Sequence, residues 1–301
     1  MKFVNGIWFE VKFGQPHKSK ELRSVFQNIF NGTYKTMGSS IEISRNNKII
    51  MNLTLQMPKQ EVELDPNVVV GVDLGVAIPA YCALNTNDYV KKACGNADDF
   101  LRVSTQIKAE RRRLQKPLKY NSGGHGRKKK LAPMDRFTDY ESNWAKTYNH
   151  KISNDIVDFA VKNHAKYINI ENLQGFGSVE SADEVRAERE PKSKNFLLGN
   201  WRYYQLQQFI TYKAEKYNIE VRKVNPYYTS RRCSCCGNED ANNRKSQAEF
   251  VCTKCGAKMN ADFNVARNIA MSTDFSDGKT SKETKKRQHK EYIAKNQKAI
   301  A

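Results

Sequence analysis

The sequence lacks a long apolar stretch, an excess of acidic residues and an N-terminal secretory signal. Without a run of about 18 apolar residues or a basic amphipathic anchor, no element is suited to span or coat a membrane. Without a signal peptide, the seven cysteines are expected to stay reduced or to bind metal rather than to form disulfides. We therefore expect a cytoplasmic protein with no membrane partner.

The charge balance is strongly basic. The chain has 51 Lys and Arg against 32 Asp and Glu, a formal net charge of +19 over 301 residues. This length allows two or three modules with one substantial core. An excess of positive charge of this size indicates a polyanionic partner, and we expect DNA or RNA.

Two Cys-x-x-Cys-Gly turns, separated by fifteen residues, predict a zinc ribbon. Each turn presents two sulfurs, and the glycine after each pair lets the backbone fold around the metal. Disulfides are the alternative, which the absence of a signal peptide disfavours. The run Cys-Ser-Cys-Cys offers both Cys235 and Cys236 as second ligand, and the spacing favours Cys236. The predicted ligands are Cys233, Cys236, Cys252 and Cys255.

Three acidic residues stand where elements end or begin. Asp73 closes an apolar strand before Leu74-Gly75, and Glu171 closes a second strand. Asp262 opens an amphipathic helix seven residues after Cys255, where the helix dipole favours an ionised carboxylate. Sites in open α/β sheets gather at the carboxyl ends of strands, so these acids are predicted to converge. The alternative is structural, with Asp73 capping its own turn and Asp262 an ordinary first-turn acid.

Three carboxylates without a Ser-His or Cys-His arrangement favour metal-assisted phosphodiester hydrolysis. Mg²⁺ or Mn²⁺ would take the oxygen ligands, and two ions about 4 Å apart would activate water and stabilise the leaving oxygen. In this hypothesis Asp73 bridges both ions, while Glu171 and Asp262 each position one. Asn264 or Arg232 would meet the phosphate.

Residues 102–130 carry eleven Lys or Arg against the single acid Glu110. A solvated helix face normally mixes both signs, so this segment predicts contacts to phosphates. His125, between two glycines, is interpreted as a phosphate or water contact rather than a general base. The predicted nucleic-acid-binding residues are Arg111, Arg112, Arg113, Lys116, Arg127, Lys128, Lys129 and Lys130.

Hydrophobic periodicity predicts an α/β protein. In the first 58 residues it predicts a helix over 19–30 and three strands over 7–13, 41–43 and 49–55, too few to close a barrel. The last two are predicted to form a hairpin at Asn46-Asn47. Further along the chain it predicts two strands within 67–84 and single strands over 167–171 and 219–224. It also predicts helices over 139–163 and 201–217. Residues 177–199 are predicted to be a lid or only a loop. The basic tail, residues 273–301, is expected to become ordered only when it binds a partner.

Seven motifs carry a resemblance to a known family. In order they are GVDLGVAIPAY, GGHGRKKK, TYNHKIS, INIENLQGF, WRYYQLQQFITYKAE, NPYYTSRRCSCCG and CGAKMNADFNVARNIA. Together they resemble the RuvC and zinc-ribbon half of the miniature type V CRISPR effector nucleases, which are related to the transposon-encoded TnpB proteins. The resemblance covers nearly all of residues 20–271.

The resemblance implies an RNase H-like (RuvC) nuclease domain with an inserted zinc ribbon, preceded by a partial β-barrel (wedge) segment. It implies a guide RNA, a DNA target and magnesium-dependent cutting of DNA. By motif, the catalytic acids fall on Asp73, Glu171 and Asp262, Arg232 matches the active-site arginine, and the lid falls in 175–199. The implied domains are 1–58 wedge, 59–226 RuvC with a basic helical insertion at 102–130, 227–260 zinc ribbon binding target nucleic acid, 261–272 final RuvC helix and 273–301 basic disordered tail.

One departure bears on activity. Family members begin with a helical recognition domain that this sequence lacks, so a second copy or a full-length partner is expected to supply it. The alternative function is a nuclease-inactive or remnant protein that binds guide RNA or DNA. A strand-transferring transposase is a third option, disfavoured by the ribbon that precedes the last acid.

Overall fold

A computed structural model describes residues 20–43, 49–75, 78–119, 126–172, 203–226, 229–246 and 248–275. The chain divides into two compact units, Met1–Gln60 and Glu61–Ala301. Outside the described residues lie the predicted strand over 7–13, the hairpin turn at 46–47, His125, the lid segment and residues 276–301 of the basic tail. No helix in the described ranges is long and apolar enough to cross a membrane.

In its described residues, the first unit contains one helix and two small antiparallel sheets. Helix α1 spans Lys20–Phe30, and β2 pairs with β3 so that Ile43 faces Ile49 across the hairpin. The predicted strand over 49–55 is divided, because β4 pairs with β1 instead. Met51, Leu53 and Leu55 are half-buried, whereas Ile49 is 62% exposed. The strands are β1 (Lys35–Thr36), β2 (Ser40–Ile43), β3 (Ile49–Asn52) and β4 (Leu55–Gln56).

The second unit is built on a five-stranded mixed sheet in the order β7-β6-β5-β8-β9. β5, β6 and β7 form an antiparallel meander, and β8 and β9 run parallel to β5. β7 was not predicted, since its four residues are two lysines followed by Ala and Cys rather than an apolar run. The strands are β5 (Asp65–Asp73), β6 (Ala80–Leu84), β7 (Lys91–Cys94), β8 (Ala165–Glu171) and β9 (Glu220–Val224).

Helices cover both faces of this sheet. The larger core lies on the face covered by α3 and α4, where Ile152, Ile156 and Leu206 are fully buried. Helix α5 packs on the opposite face, over β5 and β6. The helices are α2 (Ala97–Lys119), α3 (Arg127–Lys162), α4 (Tyr203–Glu215) and α5 (Ala261–Met271).

Helix α3 begins twelve residues before its predicted start. It follows Gly126, whose φ of 93° is the left-handed conformation that glycine adopts without strain. Residues 127–130 therefore lie in the first turn of a helix, and Pro133 lies inside the helix. The apolar stripe that marked the helix occupies only its later part, which explains the late predicted start.

A small cysteine-containing module is inserted between β9 and α5. It contains the hairpin β10 (Glu249–Val251) and β11 (Lys258–Asn260), and a 3-10 turn at Ala241–Asn243. Phe250 is fully buried in this module beside Cys233 and Cys252. The chain returns to the sheet after α5, where the Asn225 N–H donates to the Asp274 carbonyl.

Helix α5 is almost entirely internal. Nine of its eleven residues are buried, and it contacts β5 and β6 on one side and the inserted module on the other. It approaches β5 closely at Gly71, where a Cβ atom would lie 2.0 Å from the Ala266 carbonyl oxygen. Only glycine permits this approach, which fixes the helix directly against the strand backbone.

Candidate functional site

Asp73 and Glu171 lie side by side at one edge of the sheet. Each is the last residue of its strand, β5 and β8, and the parallel register pairs Val72 with Ile170 immediately before them. The carboxyl ends of adjacent parallel strands therefore present both acids at the same edge. Both residues are half-buried.

Asp262 reaches the same edge from the first turn of α5. The helix is capped by Asn260, whose side chain accepts the Phe263 N–H at 3.0 Å. The charge of Asp262 raises the pKa of Asp73, as does the charge of Glu171. The structure thus brings together the three acids that the sequence predicted.

Among the residues that the structure describes, the three acids lie together with too little positive charge nearby to balance their negative charges. Burial, followed by the charges of Glu171 and Asp262, raises the pKa of Asp73 well above its usual range. Burial also raises the pKa of Glu171 and that of Asp262. Crowded, desolvated carboxylates favour the neutral form unless a cation joins them. This donor set fits divalent ions, which take carboxylate oxygens as ligands.

Arg244 is a functional candidate that the sequence did not reveal. It is half-buried in the inserted module, and its charge lowers the pKa of Asp73, Glu171 and Asp262. No local pattern marks it, because its placement depends on how the fifteen residues between the two cysteine pairs fold. An isolated antiparallel β-bridge joins Arg244 to Phe250 within the inserted module.

Glu171 is held by two polar residues that the sequence also did not single out. The Thr229 hydroxyl donates to Glu171 Oε1 at 2.7 Å, which lowers the pKa of Glu171 against the effect of burial. Gln207 Nε2 on α4 donates to the Glu171 backbone carbonyl at 3.0 Å. The acid is therefore fixed through both its side chain and its main chain.

Two tyrosines border the acids. Burial and the charge of Asp73 raise the pKa of Tyr203 to about 12, and its hydroxyl donates to the Gly75 carbonyl at 3.4 Å. Tyr81 faces Asp73 across the β5–β6 register, and burial together with the charge of Asp262 raises the pKa of Tyr81. Both phenols therefore remain neutral around neutral pH.

Four cysteine sulfurs form a compact cluster. The Sγ atoms of Cys233, Cys236, Cys252 and Cys255 all lie within 4.8 Å of one another. Sulfurs bound tetrahedrally at about 2.3 Å from an ion would be about 3.8 Å apart. The Sγ atoms of Cys233 and Cys255 are 3.8 Å apart and those of Cys236 and Cys252 are 3.6 Å apart, close to that value. Cys235 is exposed and outside the cluster.

The thiols of the cluster differ in how readily they ionise. Burial opposes ionisation of Cys252, but N–H donors from Cys255 and Lys254 and the neighbouring thiols lower its pKa to about 6. Burial raises the pKa of Cys233 to about 12. A bound metal would hold all four as thiolates, so the residues fit a four-sulfur metal site.

Helix α5 ties the cysteine module to the acids through two buried asparagines. Asn264 accepts the Ser234 N–H and donates to the Arg232 carbonyl, at 2.9 and 2.8 Å. Asn268 donates to the carbonyls of Thr229 and Arg232, at 2.8 and 2.7 Å. Asn264 therefore binds backbone groups, and its predicted contact to phosphate stays untested.

Arg232, the predicted active-site arginine, is exposed. It lines a cavity of about 310 Å³ together with Thr229 and Asn268. The cation whose charge acts on all three acids is Arg244. The role predicted for Arg232 stays a prediction, and Arg244 is an additional candidate.

The predicted basic surface lies on α2 and the start of α3. Arg112, Arg113 and Lys116 are exposed and Arg111 is half-buried on α2, while Lys129 is exposed on α3. Arg113 pairs with Glu110. The side chains of Arg127, Lys128 and Lys130 lie outside the described residues.

Comparison with known proteins places these features in a family. Residues 203–269 match the family described as Cas12f1-like, TNB domain. The CRISPR-associated endodeoxyribonuclease Cas12f1 of Sulfoacidibacillus thermotolerans is 38% identical over 254 residues, covering 83% of this chain and 56% of that protein. The TnpB-like protein MJ0751 of Methanocaldococcus jannaschii is 29% identical over 171 residues, covering 56% of this chain and 55% of that protein.

A solved structure agrees. Cas12f1 in a cryo-EM complex with sgRNA and target DNA matches with a TM-score of 0.64 at 26% identity, covering 88% of this chain and 50% of that one. The chain spans about half the length of the relatives it matches. The predicted family is confirmed: the chain belongs to the family of the miniature type V CRISPR effector nucleases and the TnpB proteins.

Proposed function

We propose that this chain supplies the catalytic part of an RNA-guided, metal-dependent DNA endonuclease. The observation that carries the proposal is the convergence of Asp73, Glu171 and Asp262 at one sheet edge, with pKa values raised by burial and, for Asp73, by its neighbours. The sheet order, an antiparallel meander followed by two parallel strands, supports an RNase H-like (RuvC) domain with an inserted ribbon. The first unit would be a partial wedge.

We propose Zn²⁺ as the structural metal of the four-cysteine cluster and Mg²⁺ or Mn²⁺ as the catalytic metal. Bound at the acids, the divalent ions would activate water and stabilise the leaving oxygen of the phosphodiester. The three carboxylates would hold these ions, and Arg244 would favour the ionised carboxylates before metal binds. The exposed cations of α2 would contact the nucleic-acid backbone without reading its sequence.

The proposed partners are a guide RNA and a target DNA, as in the Cas12f1 complex with sgRNA and target DNA. As the resemblance implies, we propose that a second copy or a full-length partner takes part in the complex; the chain spans about half of each relative. A nuclease-inactive RNA-binding or DNA-binding protein is the second candidate, favoured by the formal net charge of +19, because nucleic-acid binding alone accounts for it.

The test is cleavage of labelled single-stranded DNA with Mg²⁺ by protein purified with its bound RNA, which is also sequenced. A parallel arm adds a full-length Cas12f1 relative whose own catalytic acids are replaced. We expect cutting that is lost in Asp73→Ala and Asp262→Ala but retained in Glu215→Gln, an exposed acid on α4. RNA binding without acid-dependent cutting in either arm would favour the second candidate.

A further inference from the structure

The carboxylate of Glu171 is oriented by a residue of the cysteine module. Thr229 Oγ1 donates to Glu171 Oε1 at 2.7 Å, although the two residues are 58 positions apart in sequence. The Pro226 carbonyl lies 3.2 Å from the same hydroxyl. A hydroxyl has one proton to donate. The Glu171 carboxylate is the closer and the stronger acceptor of the two, so the proton is donated to it.

Thr229 is itself held rigidly. Its residue is 9% exposed, and its carbonyl accepts a hydrogen bond from Asn268 Nδ2 at 2.8 Å. Asn268 is buried on α5 and also donates to the carbonyl of Arg232, the residue before Cys233. The main chain at Thr229 is therefore anchored both to α5 and to the segment that carries the first cysteine pair.

Asp262 lies on the same helix as Asn268. One helix thus carries the third acid and also anchors the threonine that orients the second. We propose that Thr229 is a positioning residue, which holds the Glu171 carboxylate in the orientation that binds a divalent ion. The inference rests on the proposed function, because it assigns Glu171 to metal binding.

Groups that hold metal ligands by hydrogen bonds typically change metal affinity by 10- to 100-fold when removed. We therefore expect Thr229→Val, which keeps the shape and removes the hydroxyl, to weaken metal binding by roughly 10- to 100-fold. Thr229→Ser keeps the hydroxyl, so its metal affinity should stay within about threefold of the wild-type value. This change is smaller than the loss expected when the hydroxyl is removed. A role in packing alone predicts the reverse order.

The experiment measures Mn²⁺ binding by electron paramagnetic resonance at one fixed pH, on the full chain loaded with zinc and free of nucleic acid. The control is Thr147→Val, which removes a hydroxyl bonded to the Asn143 carbonyl on α3. Zinc content and melting temperature are recorded for each variant. If Thr229→Val does not fold, Thr229→Ala takes its place.

The outcomes separate the two proposals. Weak Mn²⁺ binding by Thr229→Val or Thr229→Ala, restored in Thr229→Ser, supports the positioning role. Wild-type affinity in Thr229→Val, with binding lost in Asp73→Asn, overturns that role and leaves the nuclease proposal standing. Equal losses in the serine and valine variants also overturn it. Absence of acid-dependent Mn²⁺ binding in the wild type overturns both.

Discussion

The carbonyl oxygen of Ala266 lies over Gly71, so close that a Cβ atom on Gly71 would approach it to 2.0 Å. Asp73 is two residues further along this strand, on the same face, and Asp262 is one helical turn before Ala266. The contact therefore fixes the spacing between two of the three acids through backbone alone.

We expect Gly71→Ala to destabilise the protein and to impair metal binding. The added methyl group would meet backbone atoms of Ala266 and Ala270, so the helix must move. Overpacking typically costs about 1–3 kcal/mol, and a clash with backbone places this variant at the upper end. Urea unfolding gives the stability, and Mn²⁺ titration gives the affinity. Gly38→Ala, with nothing within 4 Å of the new methyl, should behave as wild type; equal stability of both variants would contradict the contact.

Without catalytic metal, ionised Asp73 should destabilise the fold. Burial and the charges of Glu171 and Asp262 raise the pKa of Asp73, so at pH values between about 3.9, the usual aspartate pKa, and its raised pKa the folded state binds more protons than the unfolded state. The free energy of unfolding then decreases as pH rises through this window.

Asp73→Asn should remove this part of the pH dependence and stabilise the metal-free protein at neutral pH. Thermal unfolding of both proteins in EDTA-free, Mg²⁺-free buffer at several pH values measures the difference. Zinc loss at low pH affects both equally and cancels in the comparison. A variant less stable than wild type at neutral pH would contradict the electrostatic argument.

Arg244→Gln should move the acidic limb of the cleavage pH profile to higher pH. The charge of Arg244 lowers the pKa of all three acids, so its removal raises those pKa values and ionisation requires more alkaline solution. The rate of DNA cleavage as a function of pH at fixed Mg²⁺ measures the shift. Lys245→Gln, an exposed neighbour, is the matched control, and identical profiles for both variants would refute this role.

Cys236 and Cys235 form a matched pair for testing the metal site. Both are exposed, but only Cys236 belongs to the sulfur cluster. We expect Cys236→Ser to lose bound zinc and to melt at lower temperature, because metal binding contributes directly to folding of such a module. Cys235→Ser should retain one zinc per chain. Atomic absorption and thermal unfolding check both, and zinc retained by Cys236→Ser would exclude the assigned ligand set.

Arg112 and Lys116 should contribute to nucleic-acid affinity without affecting sequence preference. They are exposed one turn apart on α2. If each neutralises one phosphate, the double variant Arg112→Gln/Lys116→Gln should reduce the slope of log affinity against log salt by about 1.8. Fluorescence anisotropy over a salt series measures this. Arg102→Gln, whose arginine pairs with Asp99, should change the slope less; equal slopes for all three proteins would argue against this surface.

Much of the second unit could be predicted from the sequence because its signals are local. The apolar strands that end in Asp73 and Glu171 are short runs bounded by turn residues, and the cysteine spacing specifies a compact sulfur cluster. Asp262 carries a weaker signal, since no periodicity relates a helix start to a strand end about 190 residues earlier. Its position after the cysteine pairs and the resemblance both indicated it.

What the sequence did not reveal depends on tertiary packing. Arg244 and Thr229 act on the acids only because the inserted module folds back over the sheet edge. The early start of α3 was missed because residues 127–138 carry charges and Pro133 instead of an apolar stripe. Arg232, which the motif indicated, lies in the same module as Arg244. A motif match alone does not show which of the two arginine side chains acts on the acids.

The near-complete burial of α5 has a consequence for engineering this protein. A helix enclosed on both sides has no free face on which to absorb change, even at positions that touch neither metal nor nucleic acid. A saturation library scored for folding should therefore show its narrowest tolerance across this single short helix, and variants with altered activity should be sought on the outward faces of α2 and α4 instead.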